Sequence, residues 1–456
     1  MVILVNPMWS VKNLNKDSNY VHIKKIINRY SKLYPDTYFI IPFPVKHFYY
    51  TEDGFFDSRH VIRIPYQIPL AKKINNISFD AQFYQDVIEK YCVGLIYNQI
   101  PEVTGQLKSL DSHFSSTIPV VNQHHYIYHD SLPYPLKNQM QYVYWQILGD
   151  ALADVNIYNS SYTEQMVFEN TAKYMPDFKK QIQEKSKIIK FGLYNEDEIV
   201  QNKKFEKFTF LYNHRLQQYK NWETTFDVFD KLYEDYDFQV AICPVGSDKL
   251  SVVNKKPYTK IYEVPTQADY YNILSKCHAN TFNSQYETFC ISIFESMMHG
   301  LATIVPNSTT MPELLGQCNE QMFNDTNEQI SLLKRLLESK SLYKGWGQHN
   351  QERAKTFSID RYCKKLNSVF EEQFTKQNFY ESLRSRNKKK LNEYLNKYNK
   401  LTNKDIKKIR RFINLSNQSV PNHRLANIMY HSGYVQKIER NETLFERMTW
   451  QIMLMP

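Results

Sequence analysis

The chain alternates twice between short strand-like stretches and longer helix-like stretches. The strand candidates of the first set are Val2–Val5, Tyr38–Ile41, Val93–Tyr97, Pro119–Val121 and Val155–Tyr158. Those of the second set are Phe208–Tyr212, Phe238–Cys243, Ile261–Val264, Asn280–Phe282 and Thr303–Val305. Stretches with helical spacing of apolar residues lie between them, as at Val21–Leu33 and Phe83–Tyr91. Strands that alternate with helices form parallel, doubly wound sheets. The sequence therefore predicts an α/β fold with two such halves.

The length and composition agree with more than one domain. With 456 residues, of which 42% are hydrophobic, the chain is long enough for two packed cores and an appendage. Glycine is scarce, at 11 residues, and the sequence contains neither a Gly-x-Gly-x-x-Gly motif nor a Walker loop. A phosphate group would therefore have to be bound by helix ends and by cationic side chains.

Two carboxylates frame the start of one predicted helix. Glu287 lies in a loop, and Glu295 lies within the apolar helical pattern of Ile291, Phe294 and Met297. A helix N-terminus offers unpaired N–H groups and a partial positive charge, which bind anions. Carboxylates on both sides of such a site suit a ligand with phosphate in the middle and hydroxyl groups at both ends, which is the shape of a nucleotide sugar.

A pair of cations lies at another predicted strand-to-helix connection. Arg215 and Lys220 follow the strand that ends at Tyr212 and precede a helix with apolar residues at Trp222 and Phe226. Ligands of open α/β sheets bind at such connections. Two cations there would neutralise a diphosphate leaving group.

The Glu-x7-Glu arrangement resembles the motif of retaining GT-B glycosyltransferases of the family 4 type. The resemblance implies that Glu287 bonds the donor sugar, that Glu295 bonds the nucleotide ribose, and that Arg215 and Lys220 act on the diphosphate. It adds these residues to the donor site: Asn213, Thr288, Phe289, Cys290 and Ile291. Members often carry Gly where this chain has Cys290, so the loop is expected to differ in shape there.

The cationic segment also departs from the usual family pattern. Members carry Gly-Arg, whereas this chain has Asn213-His214-Arg215 followed by Lys220-Asn221. This variant is similar to the enzymes that mannosylate queuosine in tRNA, with a further local similarity to phage-type DNA base glycosyltransferases. The family's Gly-rich first loop is absent as well, and Lys12 and Lys16 are candidates to replace it.

The loop after the fourth predicted strand supplies the candidate site residue of the first half. Related enzymes often place there a His that contacts the sugar or the acceptor; His124 is the first choice and His125 the second. A polar loop with stacked aromatic residues is the alternative. The His and Asp spacing of this loop fits no common zinc site, so we predict no metal. Asp235 and Asp237 form an Asp-x-Asp, but they precede a strand and are predicted to lie on the surface.

The resemblance predicts three parts in the chain. Residues 1–190 form a Rossmann-like acceptor domain, residues 191–375 a Rossmann-like donor domain, and residues 376–456 a basic helical module. The join lies near Ile188–Leu193, which resembles the family's strand-then-Gly element. Ser160 or Ser161 is predicted to cap a helix, as scaffold.

The excess charge is concentrated in one segment. The chain carries a formal charge of +10, and residues 376–411 contain thirteen Lys or Arg against three acidic residues, so this segment accounts for all of it. A clustered basic segment is typical of proteins that bind nucleic acid or anionic membranes. Its helices interleave Lys with Tyr and Asn and lack a bulky apolar face, which favours nucleic acid, DNA or tRNA, over membrane.

The cysteines and the hydropathy indicate a cytoplasmic protein. The six cysteines are scattered without a Cys-x-x-Cys pair, which favours reduced thiols. We expect neither a signal peptide nor a transmembrane helix, because Met1 leads directly into the first strand and no apolar run is long enough.

The sequence therefore predicts a retaining, metal-independent hexosyltransferase. Its donor would be a UDP- or GDP-hexose, and its acceptor a hydroxyl group on a modified base, with hydroxymethylpyrimidine DNA as the first choice. The alternative acceptor is a cell-surface glycan or a lipid-linked sugar, with the basic tail on an anionic membrane. A non-catalytic module that binds sugar nucleotides is a third hypothesis.

Overall fold

A computed structural model describes most of the chain up to Arg384. It covers residues 1–7, 18–44, 56, 59–66, 79–110, 118–129, 140–243, 249–264, 266–316 and 318–384. Two parallel sheets of seven and six strands organise these residues, as predicted. We call the part built on the seven-stranded sheet the first half, and the part built on the six-stranded sheet the second half.

The first sheet has the strand order β3-β2-β1-β4-β5-β6-β7, with every pair parallel. Its strands are β1 Val2–Asn6, β2 Tyr38–Pro44, β3 Val61–Tyr66, β4 Leu95–Asn98, β5 Val120–Gln123, β6 Val155–Tyr158 and β7 Ser186–Ile188. The helices between them are α1 Ser18–Leu33, α2 Ala81–Tyr91, α3 Thr104–Ser109, α4 Met140–Leu152, α5 Ser161–Tyr174 and α6 Lys179–Glu184. Ser160 caps α5 by accepting a hydrogen bond from the Thr163 N–H, which confirms the predicted cap.

The second sheet has the order β10-β9-β8-β11-β12-β13 and is parallel as well. Its strands are β8 Thr209–Tyr212, β9 Gln239–Ile242, β10 Thr259–Ile261, β11 Ala279–Thr281, β12 Ala302–Pro306 and β13 Met322–Phe323. Its helices are α7 Trp222–Tyr233, α8 Leu250–Val253, α9 Gln267–Lys276, α10 Ile291–Met298, α11 Met311–Leu315, α12 Thr326–Glu338 and α13 Lys340–Lys355.

Three strands were not predicted, and all three lie at sheet edges. Strand β3 pairs only with β2 and contains Arg63 and Pro65, which an edge position tolerates. Strands β7 and β13 are only three and two residues long, too short to give a periodic pattern. The predicted strand Ile261–Val264 was also displaced, since the observed strand is Thr259–Ile261.

A ladder of asparagines crosses the first sheet through four adjacent strands. Asn6, Asn98, Asn122 and Asn156 lie on β1, β4, β5 and β6, pair in register, and are fully buried. The side-chain amide of Asn6 donates to Asn98 at 2.7 Å, that of Asn98 to Asn122 at 2.9 Å, and that of Asn122 to Asn156 at 3.2 Å. A one-residue slip of any strand would leave buried amides unpaired, so the ladder fixes the register.

The last described helix, α14 (Ile359–Arg384), packs on the first half. The hydroxyl of Tyr30 donates to Asn367 at 2.5 Å, and those of Tyr97 and Tyr362 lie 3.1 Å apart. Its Phe370 is fully buried in a core shared by both sheets. The chain therefore returns to the first half after completing the second, and α14 runs across residue 375, where the donor domain was predicted to end.

The chain divides into two compact units that do not coincide with the two halves. One unit is Met1–Lys108 with Pro119–Glu371 and holds both sheets; the other is Ser109–Ile118 with Glu372–Pro456. The basic module predicted for residues 376–456 lies outside the described residues beyond Arg384. Among the described helices, none combines the length and the apolar character needed to cross a membrane.

Candidate functional site

The predicted cations and the first carboxylate lie on neighbouring loops. Strands β8 and β11 are adjacent and parallel, so the loops that leave their carboxyl ends run side by side. A backbone hydrogen bond of 3.1 Å from the N–H of Gln285 to the carbonyl of Tyr219 joins the two loops. Arg215 and Lys220 follow β8, and Glu287 follows β11, as the sequence predicted.

Lys220 and Glu287 form an ion pair. The ammonium of Lys220 donates to the Glu287 carboxylate and lies 4.9 Å from the centre of the Tyr219 ring. Both side chains are nearly enclosed, with exposed fractions of 12% and 9%. Burial opposes the charge on Lys220, but the Glu287 carboxylate outweighs it, so the pKa of Lys220 is raised. Lys220 thus keeps its charge at neutral pH inside this pair.

Arg215 differs from Lys220 in being exposed. Within the described part of the chain its guanidinium has no hydrogen bond or ion pair to another residue. It is therefore available to an anion that arrives from solvent.

Cys290 begins helix α10 in a strained backbone conformation. Its φ of 67° and ψ of 74° are left-handed, a region that favours glycine. A Gly, as the sequence resemblance expected here, would adopt this conformation without strain, and the loop adopts it although the side chain is Cys. No side-chain hydrogen bond caps the N-terminus of α10.

Thr288 and Phe289 join this loop to the first half. The Thr288 hydroxyl donates to the carbonyl of His125 at 2.8 Å, and the Thr288 carbonyl accepts from the Ser160 hydroxyl at 2.9 Å. The ring of Phe289 lies 5.2 Å from that of Phe191. The hydroxyl of Tyr286 also donates to the Ile127 carbonyl at 2.6 Å. The loop that leads into α10 of the second half thus packs against β5 and α5 of the first.

Glu295 lies inside α10, as predicted, and its carboxylate is held by two tyrosines. The hydroxyl of Tyr270 donates to it at 2.9 Å and that of Tyr271 at 3.3 Å. Burial raises the pKa of Glu295, and the nearby Lys25 ammonium acts in the opposite direction. Lys25 lies on α1, so this carboxylate faces a cation from the first half.

Asn213 and Ile291 complete the predicted donor set. The amide of Asn213 donates to the Tyr270 hydroxyl at 2.7 Å and to the Ser292 carbonyl at 3.0 Å, so it ties β8 to α9 and α10. Ile291 is the first residue of α10 and is half-buried. The donor-binding role of these residues stays a prediction.

His124 and His125 point to different surroundings. His124 is completely buried; its Nε2 lies 2.8 Å from Asp150 Oδ1, and its ring lies 4.6 Å from that of Tyr158. His125 is half-buried, bonds Gln99 at 2.5 Å through Nε2, and has its ring 5.4 Å from Phe191. Burial lowers the pKa of His125 to about 3, so its ring is neutral. His125 borders the loop of the second half that contains Thr288, whereas His124 joins β5 to α4. A contact of either side chain with the sugar stays a prediction.

His22 was missed by the sequence interpretation. It lies on α1, is buried, and has its ring 4.1 Å from Phe191 and 5.9 Å from His125. Neither ring nitrogen has a hydrogen-bond partner among the described residues. Its only sequence signal is a His on the helix that follows the first strand, and that signal is too general to single it out. Lys12 and Lys16 lie outside the described residues.

Three ligand-type side chains meet at the ion pair. One ring nitrogen of His214, one oxygen of Glu287 and the sulfur of Cys290 lie within 4.8 Å of one another. The set fits a metal poorly, because Glu287 is already neutralised by Lys220 and burial raises the pKa of the Cys290 thiol to about 12. Metal independence nevertheless stays a prediction.

Several secondary predictions were confirmed. Asp235 and Asp237 are exposed and pair with Lys334 and Lys207, as expected of surface residues. All six cysteines are free thiols.

Comparisons with known proteins agree with this architecture. Residues 195–353 match the family model described as glycosyl transferases group 1. Sucrose-phosphate synthase from Thermosynechococcus elongatus is similar in structure, with a TM-score of 0.66 and 12% identity over 82% of this chain and 98% of that one. HepE from Anabaena, solved with UDP and glucose, has a TM-score of 0.59 and 12% identity over 82% of this chain and 100% of that one.

A third similar structure is a glycosyltransferase from Rickettsia africae. Its TM-score is 0.58, and its identity is 16% over 82% of this chain and 98% of that one. No curated protein sequence matches the chain. At these identities the likeness establishes the fold, which is GT-B, and the family match covers the part that carries Arg215, Lys220, Glu287 and Glu295.

Proposed function

We propose that the protein is a retaining glycosyltransferase that moves a hexose from a UDP- or GDP-linked donor. The observation that carries the proposal is the Lys220–Glu287 pair at the carboxyl ends of β8 and β11, inside the segment that matches glycosyl transferases group 1. An ammonium suited to phosphate and a carboxylate suited to sugar hydroxyls are already in contact there. HepE, a structural neighbour, was solved with UDP and glucose, which supports this class of ligand.

Each charged residue has a separate task in this proposal. Arg215 and Lys220 stabilise the departing diphosphate, together with the free amides at the start of α10. Glu287 leaves Lys220 and binds the hydroxyls of the sugar, while Glu295 binds the nucleotide ribose. Because the two cations offset the charge of the leaving group, the reaction needs no metal.

The chemical step proceeds on one face of the sugar. The bond between the anomeric carbon and the phosphate oxygen breaks through an oxocarbenium-like state, and the acceptor oxygen bonds the same face. The acceptor proton passes to the leaving phosphate, so atoms and charge balance without a covalent enzyme intermediate. Configuration at the anomeric carbon is retained.

The acceptor we propose is a hydroxyl group on a modified base in nucleic acid, with hydroxymethylpyrimidine DNA before tRNA. The support is the cluster of thirteen Lys and Arg residues at 376–411. A glycan or lipid-linked acceptor is the second candidate, favoured by the same positive charge if it faces an anionic membrane.

Mass spectrometry of products distinguishes the two acceptors. The protein is incubated with UDP-glucose or GDP-mannose and with hydroxymethylcytosine DNA, total tRNA, or anionic vesicles carrying a polyprenyl phosphate sugar. We expect a hexose mass on a DNA nucleoside. Transfer to the lipid-linked sugar with unmodified nucleosides would reject the nucleic-acid acceptor and leave the glycosyltransferase proposal standing.

The tail can be tested separately by its salt dependence. The full chain should bind DNA with an affinity that falls steeply with salt, because phosphate contacts release counterions. A chain that ends at Arg384, after α14, should lose most of this affinity. Equal DNA binding by both chains would exclude the tail as the nucleic-acid contact.

A further inference from the structure

His214 occupies an unusual position beside the ion pair. It is 4% exposed, and its ring stacks on Phe282 at a centroid distance of 4.5 Å and an angle of 8°. Its Nδ1 lies 3.0 Å from the hydroxyl oxygen of Ser292, while its Nε2 has no partner among the described residues. A buried ring nitrogen without a partner costs free energy unless a ligand supplies one.

The ring is neutral and carries a single proton. Burial lowers the pKa of His214, and the charge on Lys220 lowers it further. Which nitrogen keeps the proton depends on what the other nitrogen bonds. Ser292, in the first turn of α10, is therefore the residue that sets the tautomer.

Cys290 contacts the hydroxyl of Ser292, which lies in the first turn of α10. The Cys290 sulfur lies 3.5 Å from the Ser292 oxygen. Burial raises the pKa of this thiol to about 12, so the thiol keeps its proton and has one to offer to Ser292. With the thiol as donor to Ser292, the serine hydroxyl is left to donate to Nδ1 of His214, and Nε2 then holds the ring's proton. His214 and Cys290 both lie at positions where the family often has Gly. Ser292 lies between them and links the two side chains into one relay.

We propose that the relay Cys290–Ser292–His214 holds the Nε2–H of His214 as a neutral hydrogen-bond donor to an oxygen of the donor diphosphate. One ring nitrogen of His214 lies within 4.8 Å of a Glu287 oxygen, and the charge on Lys220 acts on the ring, so the ring borders the ion pair to which the proposed function assigns the donor. A neutral donor adds a directed hydrogen bond without adding charge beside the buried ammonium. This inference rests on the proposed function and assigns a further diphosphate contact to its site; His214 makes the contact, and Ser292 and Cys290 position it.

The test compares variants of the full chain by donor hydrolysis and by UDP and GDP binding. His214→Phe keeps the stack on Phe282 but removes the donor; we expect kcat to fall about 100-fold, the low end for loss of one such donor. His214→Gln, which retains an N–H, should recover part of this loss and guards against a folding failure of the Phe variant.

Variants of Ser292 distinguish an effect on the position of the His214 proton from an effect on the stability of the protein. Ser292→Ala frees the ring to take the other tautomer and should lower kcat about 10-fold with little change in KM, whereas Ser292→Thr keeps the hydroxyl and should recover activity. Cys290→Gly relieves the left-handed backbone and should raise the melting temperature while lowering kcat.

The outcomes distinguish this inference from the function on which it rests. If the wild-type protein binds and hydrolyses no UDP- or GDP-hexose, the proposed function fails. If it does so and His214→Phe or Ser292→Ala matches it in kcat, only the relay is overturned. Unchanged or higher kcat in Cys290→Gly would assign Cys290 a purely structural role and remove it from the relay.

Discussion

The two halves of the molecule share a parallel-sheet architecture but use different polar groups at the ends of their strands. In the first half these ends carry neutral amides and an imidazole, such as Asn6 and Asn98 and the pair His125–Gln99. In the second half they carry charges, with Arg215 and Lys220 after β8 and Glu287 after β11.

This difference follows from what each group bonds. The amides of the ladder satisfy one another, so they hold strands in register and leave little for a ligand. The charges of the second half are only partly satisfied internally, since Arg215 is exposed and α10 has no side-chain cap. The charges of the second half therefore keep bonding capacity for the anion that the proposed function assigns to them, whereas the amides of the first half are used internally. Three changes test this contrast.

Loss of Glu287 should have the largest effect. We expect Glu287→Ala to lower kcat for transfer or donor hydrolysis by more than about 1,000-fold, because the sugar loses its main hydroxyl partner. The change also leaves the nearly enclosed Lys220 ammonium unpaired, so the melting temperature should fall as well. Glu287→Gln, which can still accept from Lys220, should lose activity with a smaller loss of stability; near-normal turnover in both would remove Glu287 from the site.

Removing either cation should reduce catalysis by a similar amount, but the two removals should differ in their effect on the stability of the protein. Arg215→Ala and Lys220→Ala should each remove about 2–4 kcal/mol of transition-state stabilisation, measured as kcat/KM. Arg215→Ala should leave the melting temperature unchanged, because its guanidinium is exposed, whereas Lys220→Ala should lower it by leaving Glu287 unpaired. Equal kcat/KM in both variants and the wild type would contradict the diphosphate role.

A smaller effect is expected in the pH dependence of stability, through the carboxyl group of Glu102 in the first half. Burial raises the pKa of Glu102 to about 7, and Gln146 donates to it at 3.4 Å. Since the folded state holds this proton more tightly than the unfolded state, stability should fall as pH rises from about 4.5 to about 7 and stay level above. The loss should be about 1–3 kcal/mol by denaturant unfolding. Glu102→Gln should flatten the profile between those pH values, and an unchanged profile would show that this carboxyl group does not titrate there.

The sequence predicted the positions of the charged residues in the second half better than those of the polar residues in the first half. Charged residues directly after apolar strands mark the ends of parallel strands, so Arg215, Lys220 and Glu287 could be placed on strand-to-helix loops without a structure. Their direct contact could not be predicted, because Lys220 and Glu287 are 67 residues apart and their distance depends on the register of β8 and β11.

The contacts of the polar residues in the first half could not be predicted from the sequence, because these contacts depend on where the side chains are buried. An asparagine at a strand end resembles a turn residue in sequence, and only the register of four strands shows that the ladder is buried. Similarly, His124 and His125 are adjacent in sequence, but one faces Asp150 and the other faces Gln99. The left-handed conformation of Cys290 was indicated only by the family's Gly, since Cys itself gives no signal for it.

The most direct test of the central claim, that the second half binds a nucleotide sugar at the Arg215–Lys220–Glu287 site, is calorimetric titration with UDP-, GDP- and ADP-hexoses. We predict that at least one donor binds the wild-type protein, that Arg215→Ala and Lys220→Ala each weaken its binding at least 10-fold, and that Lys207→Ala, a surface lysine paired with Asp237 ahead of β8, leaves it unchanged. Failure of every donor to bind, or equal affinities in all three variants, would contradict it.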